Sequence, residues 1–292
     1  MRVALPLNGG FMKYNLLAGL AFTLLAILSS ILILSRNADT AINSDAEPAT
    51  TSAARRAVLV ELFTSEGCSS CPPADDLLIK LEKSQPVDDA EIIALSEHVD
   101  YWNRLGWTDP FSSSEFSERQ SLYARVFRND SIYTPQMVVD GHLEFVGSNS
   151  SKAHNAISKA AKNPKANIQI AQTQSKEASN KTAIQLNIHI QDLPAITSGD
   201  RAEILLAITE GGLQSSVSRG ENAGRKIIHT AVVRKLDHIG TVDASKIAFD
   251  KLATAEIESG WSRDQLRVVV FVQERESRRV IGAAAIPVAA KP

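Results

Sequence analysis

The chain has 292 residues, 44% of them hydrophobic and 22% charged, with a formal net charge of −2. Such a balanced charge excludes a nucleic-acid footprint and a broadly basic membrane-binding face. The length suits one large domain or two of medium size. From the N-terminus, Leu16 to Leu34 is apolar except for Gly19, Thr23, Ser29 and Ser30. A run of about 19 such residues is enough to span a bilayer and is long for the core of a signal peptide. Arg2 and Lys13 precede it, and by the positive-inside tendency they direct the rest of the chain to export, although Arg36 weakens the asymmetry. Ser35 to Ala41 lacks a clean small-x-small cleavage site, so an uncleaved inner-membrane anchor is expected over a removed signal. Met12-Lys13 is an alternative start. Residues 1–36 are therefore read as a cytoplasmic tail plus a signal or transmembrane helix, and 37–56, rich in Ala, Thr, Ser and Asp, as a flexible linker.

The segment 57–165 alternates strand and helix patterns. Val58 to Phe63 reads as a strand, and Ala74, Leu77, Leu78 and Leu81 place a helix after it, with Pro72 and Pro73 in its first turn. Glu91 to Leu95 reads as a second, buried strand. Ser112 with Glu115 forms a capping box ahead of a helix carrying Phe116, Tyr123 and Phe127. Asp140-Gly141 joins Gln136–Val139 to His142–Phe145 as a hairpin, and a last helix covers Ser151 to Ala161. This order predicts a mixed sheet with helices on both faces. From about Ala166 to the C-terminus the pattern is strands: Thr182–Ile190, Ala202–Thr209, Ile227–Val233, Arg267–Val272 and Val280–Pro287. Residues 166–292 are expected to form an all-β, sandwich-like domain.

The only two cysteines, Cys68 and Cys71, stand at the junction of the first strand and first helix. A helix N-terminus stabilises a thiolate, so this layout suits thiol–disulfide chemistry. As a staple the pair is poor, since closing so short a loop removes only about 2 kcal/mol of unfolded-state entropy. Export places it where thiols are normally oxidised, as in a bacterial periplasm. Cys68 is expected to attack and Cys71 to resolve the mixed disulfide. The opposing reading is a permanent, inert local disulfide.

The run Val60 to Asp75 resembles the DUF1223 family of exported bacterial proteins with a thioredoxin-like domain. So do His98 to Trp102, Leu105 to Phe111, Tyr133 to Gly141, and Arg219 to Arg225 with His229 and Val232-Val233-Arg234. The resemblance implies an α/β thioredoxin-like fold for 57–165, with Thr134-Pro135 at its cis-proline position. There Pro135 shapes the edge beside the dithiol and Thr134 turns its backbone toward a substrate chain. Glu61 lies one residue from where thioredoxins carry a buried acid, and is expected either to relay a proton or to be a capped or solvent-facing glutamate.

Trp102 and Trp107 either line a groove for a flexible partner or pack a long loop. His98 and Asp100 read as a loop-stabilising hydrogen-bond pair, with proton shuttling or a copper site shared with the two sulfurs as the weaker idea. Arg219, Glu221, Arg225, His229 and Arg234 read as a salt-bridged loop, or else as a surface that recruits a partner. The function expected is a thiol–disulfide oxidoreductase acting on a protein dithiol or disulfide, held in the inner membrane by residues 16–34. It needs no cofactor and no metal. The alternative is a non-catalytic thioredoxin-like module of the envelope whose disulfide is inert.

Overall fold

Alternation along β1 (Arg56–Thr64) gives this strand two buried faces. Val58, Val60 and Leu62 lie on one face against α1 (Pro72–Ser84) and α3 (Ser150–Ala160); Leu59 and Phe63 lie on the other, against α2 (Ser114–Phe127). The computed structural model describes residues 55–178, 181–242 and 248–289. The run Leu16–Leu34 and nearly all of the linker lie outside the described residues. No helix among the described residues is long and apolar enough to cross a membrane.

The architecture is mixed α/β with β predominating. β2 (Ala90–His98) runs parallel to β1, and β3 (Gln136–Val139) pairs antiparallel on its other side, followed by β4 (Leu143–Val146). The β3–β4 turn is the expected one. Asp140 and Gly141 have φ of 49° and 64°, and a Cβ on Gly141 would lie 1.8 Å from the Arg278 carbonyl oxygen, so only glycine fits. The cap of α2 departs from expectation. Ser113, not Ser112, accepts from the Glu115 N–H (3.2 Å), because the Ser112 hydroxyl donates to the Asp109 carbonyl (2.8 Å).

The C-terminal strands are β5 (Asn167–Ala178), β6 (Lys181–Gln191), β7 (Ala202–Glu210), β8 (Leu213–Ser216), β9 (Lys226–His229), β10 (Val232–Val242), β11 (Ala248–Glu258), β12 (Leu266–Glu274) and β13 (Val280–Pro287). The separate sheets expected for residues 57–165 and 166–292 need correction. One eight-stranded sheet runs β13-β12-β7-β10-β2-β1-β3-β4, joined where Val232 bridges Ser96. The three-stranded sheet β11-β6-β5 packs on one face of its C-terminal half, giving a sandwich core of Ile184, Leu186, Ile204, Leu206, Val268 and Val270.

The sheet is shared for a packing reason. The 14-residue helix α2 does not by itself cover the second face of β1 and β2. Leu205, Ala207, Val269, Phe271 and Ala283 complete that core from the C-terminal strands. β13 also returns to the first hairpin, with Val280 N–H donating to the Asp140 carbonyl (2.9 Å) while the Asp140 carboxylate accepts from Leu59 N–H (2.9 Å). The single strand read over Ile227–Val233 is likewise broken. Ala231 adopts φ 48°, so β9 leaves the sheet to pair with β8 while β10 stays in it.

A fragment of residues 55–165 should therefore lack cooperative thermal unfolding, whereas residues 55–292 should unfold in one transition by calorimetry. A fragment melting as sharply as the longer protein would mean that the core shared with Leu205 and Phe271 is dispensable.

Candidate functional site

β1 ends at Thr64, and the turn after it carries Ser65, Glu66 and Gly67 into Cys68. Cys68 and Cys71 are joined as a disulfide, with Cα atoms 5.4 Å apart, and both are 0% exposed. Between them Ser69 and Ser70 reach the surface. Helix α1 begins immediately after, with Cys71 at its N-cap and Pro72 in its first turn.

The backbone of the cysteine turn is held by a hairpin from the C-terminal half of the chain. The β8–β9 hairpin leaves the sheet as an arm, and its tip lies on the cysteine turn. The Asn222 amide, fully buried, donates to the carbonyls of Glu66 (2.8 Å) and Cys68 (2.9 Å). The Glu221 carboxylate accepts from Ser69 N–H (3.0 Å), and the Ser69 hydroxyl first, with that N–H second, holds its carboxyl below the usual carboxylate range. Gly220, at φ +78°, passes the Trp107 side chain so closely that a Cβ would lie 3.2 Å from it.

Beneath the tip lies a buried cluster of acids and histidines. Glu66 accepts from Trp107 Nε1 (2.8 Å) through one oxygen and from His229 Nε2 (3.1 Å) through the other. Asp75 Oδ1, which accepts from the Thr64 hydroxyl (3.0 Å), lies 3.9 Å from His229 Nδ1. That distance is too long for a hydrogen bond but short enough to attract an imidazolium. Burial pushes His229 down, but Asp75 and Glu66 outweigh it and raise its pKa to about 9. The ring of His98 stands 4.6 Å from that of His229, and its Nδ1 meets Asp109 Oδ2 at 2.7 Å. Burial alone would raise Asp109; its contacts with His98 and with the N–H groups of Glu66 and Phe111 lower it instead.

The residues singled out in the sequence divide between this site and other places. The Thr134–Pro135 bond is cis, as the resemblance implied. Pro135 is buried, and Thr134 accepts from Trp102 Nε1 (2.8 Å). Trp102 and Trp107 both spend their indole N–H groups inside the protein, one on Thr134 and one on Glu66. His98 does not pair with Asp100, which accepts from the Ser117 hydroxyl (2.6 Å). Arg234 lies 3.6 Å from Glu210 and over the rings of Phe111 and Trp261, so the five charged residues read as one loop network are split. Among the described residues no group of three or more His, Cys, Asp or Glu side chains converges to hold a metal.

Glu61 is buried, as expected of a relay, but it serves a different network. Alternation turns it to the α2 face, away from α1, where it accepts from Arg119 Nε (2.7 Å) and the Tyr123 hydroxyl (2.5 Å). Gln273 on β12 accepts from Arg119 Nη1 (3.0 Å) and donates to Tyr123 (2.7 Å). Glu97 stands in the same pocket with Arg119 Nε 3.2 Å away, and burial above all raises its pKa to about 8. Sequence reasoning assigned no role to Glu66, Asp75, Asp109 or Asn222, although all four fall within the family-like motifs.

The raised pKa of His229 sets a direction for stability. Its ordinary value is 6.5 and its folded value about 9, so its contribution is complete below about pH 6.5 and is lost as pH rises through 9. The unfolding free-energy difference between the protein and a His229→Gln variant should be largest at pH 6 and shrink steadily to pH 9.5. A pH-independent difference in denaturant titrations would show that His229 is neutral in the fold.

Similarity to known proteins agrees with this architecture. Protein AGR_C_4864 from Agrobacterium tumefaciens, known from a crystal structure, is 26% identical, with 80% of this chain and 96% of that one covered at a TM-score of 0.57. HBP35 of Porphyromonas gingivalis is 14% identical, covering 80% of this chain and 76% of its own at a TM-score of 0.56, a likeness of fold alone. No curated protein is significantly similar. The family described as protein of unknown function (DUF1223) matches residues 59–273, most of the chain, and the protein belongs to that family.

Proposed function

We propose that this protein is a thioredoxin-like interaction module of the bacterial envelope, in which Cys68–Cys71 is a structural disulfide. One observation carries the proposal. The pair is closed and fully buried beneath a hairpin tip that takes up the surrounding backbone groups. A disulfide exchanges only when a thiolate reaches one of its sulfurs. The apolar run Leu16–Leu34 supports export and attachment to the inner membrane, and an oxidising compartment keeps such a bond formed. In this role the partner is a protein, met at the half-exposed edge of Thr134, Trp102 and Trp107.

A second reading has one observation in its favour. The pair lies between a parallel strand and a helix N-terminus, where Cys68 would attack a protein disulfide and Cys71 resolve it. The reduction potential separates the two. A structural disulfide should equilibrate below about −300 mV and show no turnover on a protein disulfide. A Cys68→Ser/Cys71→Ser variant should then stay folded and lose only about 2 kcal/mol of stability, the amount for so short a loop. A potential well above that value, with turnover, would establish the oxidoreductase.

A further inference from the structure

The hairpin tip does more than cover the cysteine turn. A reactive dithiol draws on the free N–H groups around the start of its helix to stabilise the thiolate of its first cysteine. Here several of those groups are already taken or missing. Pro72 and Pro73 have none, Cys71 N–H donates back to the Cys68 carbonyl (3.1 Å), and Ala74 and Asp75 donate to Cys71 (2.8 and 3.1 Å). Ser69 N–H, one residue past Cys68, is taken by Glu221. The Ser70 hydroxyl, 3.3 Å from Cys68 Sγ, remains as a donor, but the Glu221 carboxylate on Ser69 N–H adds negative charge beside it, and like charges close together disfavour ionisation. Asn222 adds a second restraint, because its amide ties the carbonyl of Cys68 itself. The base of the arm is anchored to the same turn, since His229 at the end of β9 meets Glu66.

We propose that the β8–β9 hairpin is an autoinhibitory clasp: Glu221 and Asn222 hold the Cys68–Cys71 disulfide closed and unreactive, and lifting the tip makes the same pair exchange with an external dithiol. With the tip lifted, one thiolate of the dithiol attacks Cys68 Sγ. The Cys68–Cys71 bond breaks, and Cys71 leaves as a thiolate that takes up a proton. The second thiolate of the dithiol then attacks its own sulfur in the mixed disulfide and releases Cys68. Two electrons pass to the protein and the dithiol becomes a disulfide. The clasp rests on the proposed inertness of the covered pair, and it supplies the cause of that inertness.

The test is the rate of reduction of the full chain by dithiothreitol, followed by thiol labelling. Glu221→Gln keeps an acceptor for Ser69 but removes the charge, and Glu221 is exposed, so the fold is retained. Reduction should quicken by about threefold, as for a surface charge, and the pH midpoint of Cys68 alkylation should move down. Concentrated salt should erase that difference, a response that a purely structural role would not give. Glu221→Ala/Asn222→Ala should be reduced at least about tenfold faster, which corresponds to about 1.4 kcal/mol. Rates within twofold of the parent for Glu221→Gln, with an unmoved midpoint, would overturn the clasp even if loss of the buried Asn222 unfolds the double variant. Rapid reduction and turnover by the parent protein would instead overturn the inert reading, and the comparison between parent and Glu221→Gln remains measurable in that case.

Discussion

Arg119 is a full positive charge inside the protein, and much of the fold is arranged so that it can stay there. Removing an ion from water costs several kcal/mol unless opposite charge and hydrogen bonds replace the solvent. Glu61 from β1 supplies the charge, and Gln273 from β12 supplies an acceptor 154 residues away in sequence. Tyr123 and Gln273 close the network, so strands from both ends of the chain must meet at α2 before the guanidinium is satisfied. That requirement acts together with the apolar residues around it, Leu59, Phe63, Leu205 and Phe271. Hydrophobic burial drives the C-terminal strands against this face, and the polar network fixes their register on it.

A continuous sheet has a consequence at its other end. Because β10 joins β2 through Val232, the residues just before it are delivered beside the C-terminal end of β1 and β2. The break at Ala231 then points β9 outward along the cysteine turn. His229, the last residue of β9, arrives buried between Glu66 and Asp75. The position of the hairpin arm therefore depends on the sheet order.

The two buried polar clusters do different physical work. Around Glu61 and Arg119 most groups are hydrogen-bonded to one another, while the Glu97 carboxyl, whose pKa burial raises, and Arg278 Nε carry no hydrogen bond among the described residues. Around Glu66 the side chains link four separate segments: the cysteine turn, α1, the tryptophan loop and β9. A change in the charge of His229 is felt at the disulfide turn, because Glu66 is two residues from Cys68. Proximity of this kind links the protonation of one group to the packing of the arm above it.

Periodicity and turn chemistry carry much of the local structure. The alternation of Val58 to Phe63, the helical spacing of Ala74 to Leu81, the Asp140-Gly141 turn and the alternating Thr182–Ile190 strand each depend on neighbours close in sequence, and each is present. β5 and β11 escape a reading of this kind, since their exposed faces dilute the apolar pattern. The cis bond before Pro135 was legible through the family-like motifs, and the placement of the cysteines through the strand and helix patterns on either side of them. Neighbours in sequence cannot encode which distant group comes to rest on them. Glu61 was legible as an unusual acid in a strand, but only the pleat and the helix opposite decided that it faces Arg119 rather than the cysteines. The motif at Arg219 to Arg225 was visible as a cluster of charges. Its role over the disulfide depends on a strand joining across the sheet more than a hundred residues from Cys68, and contacts of that range are fixed by the packing of the whole chain.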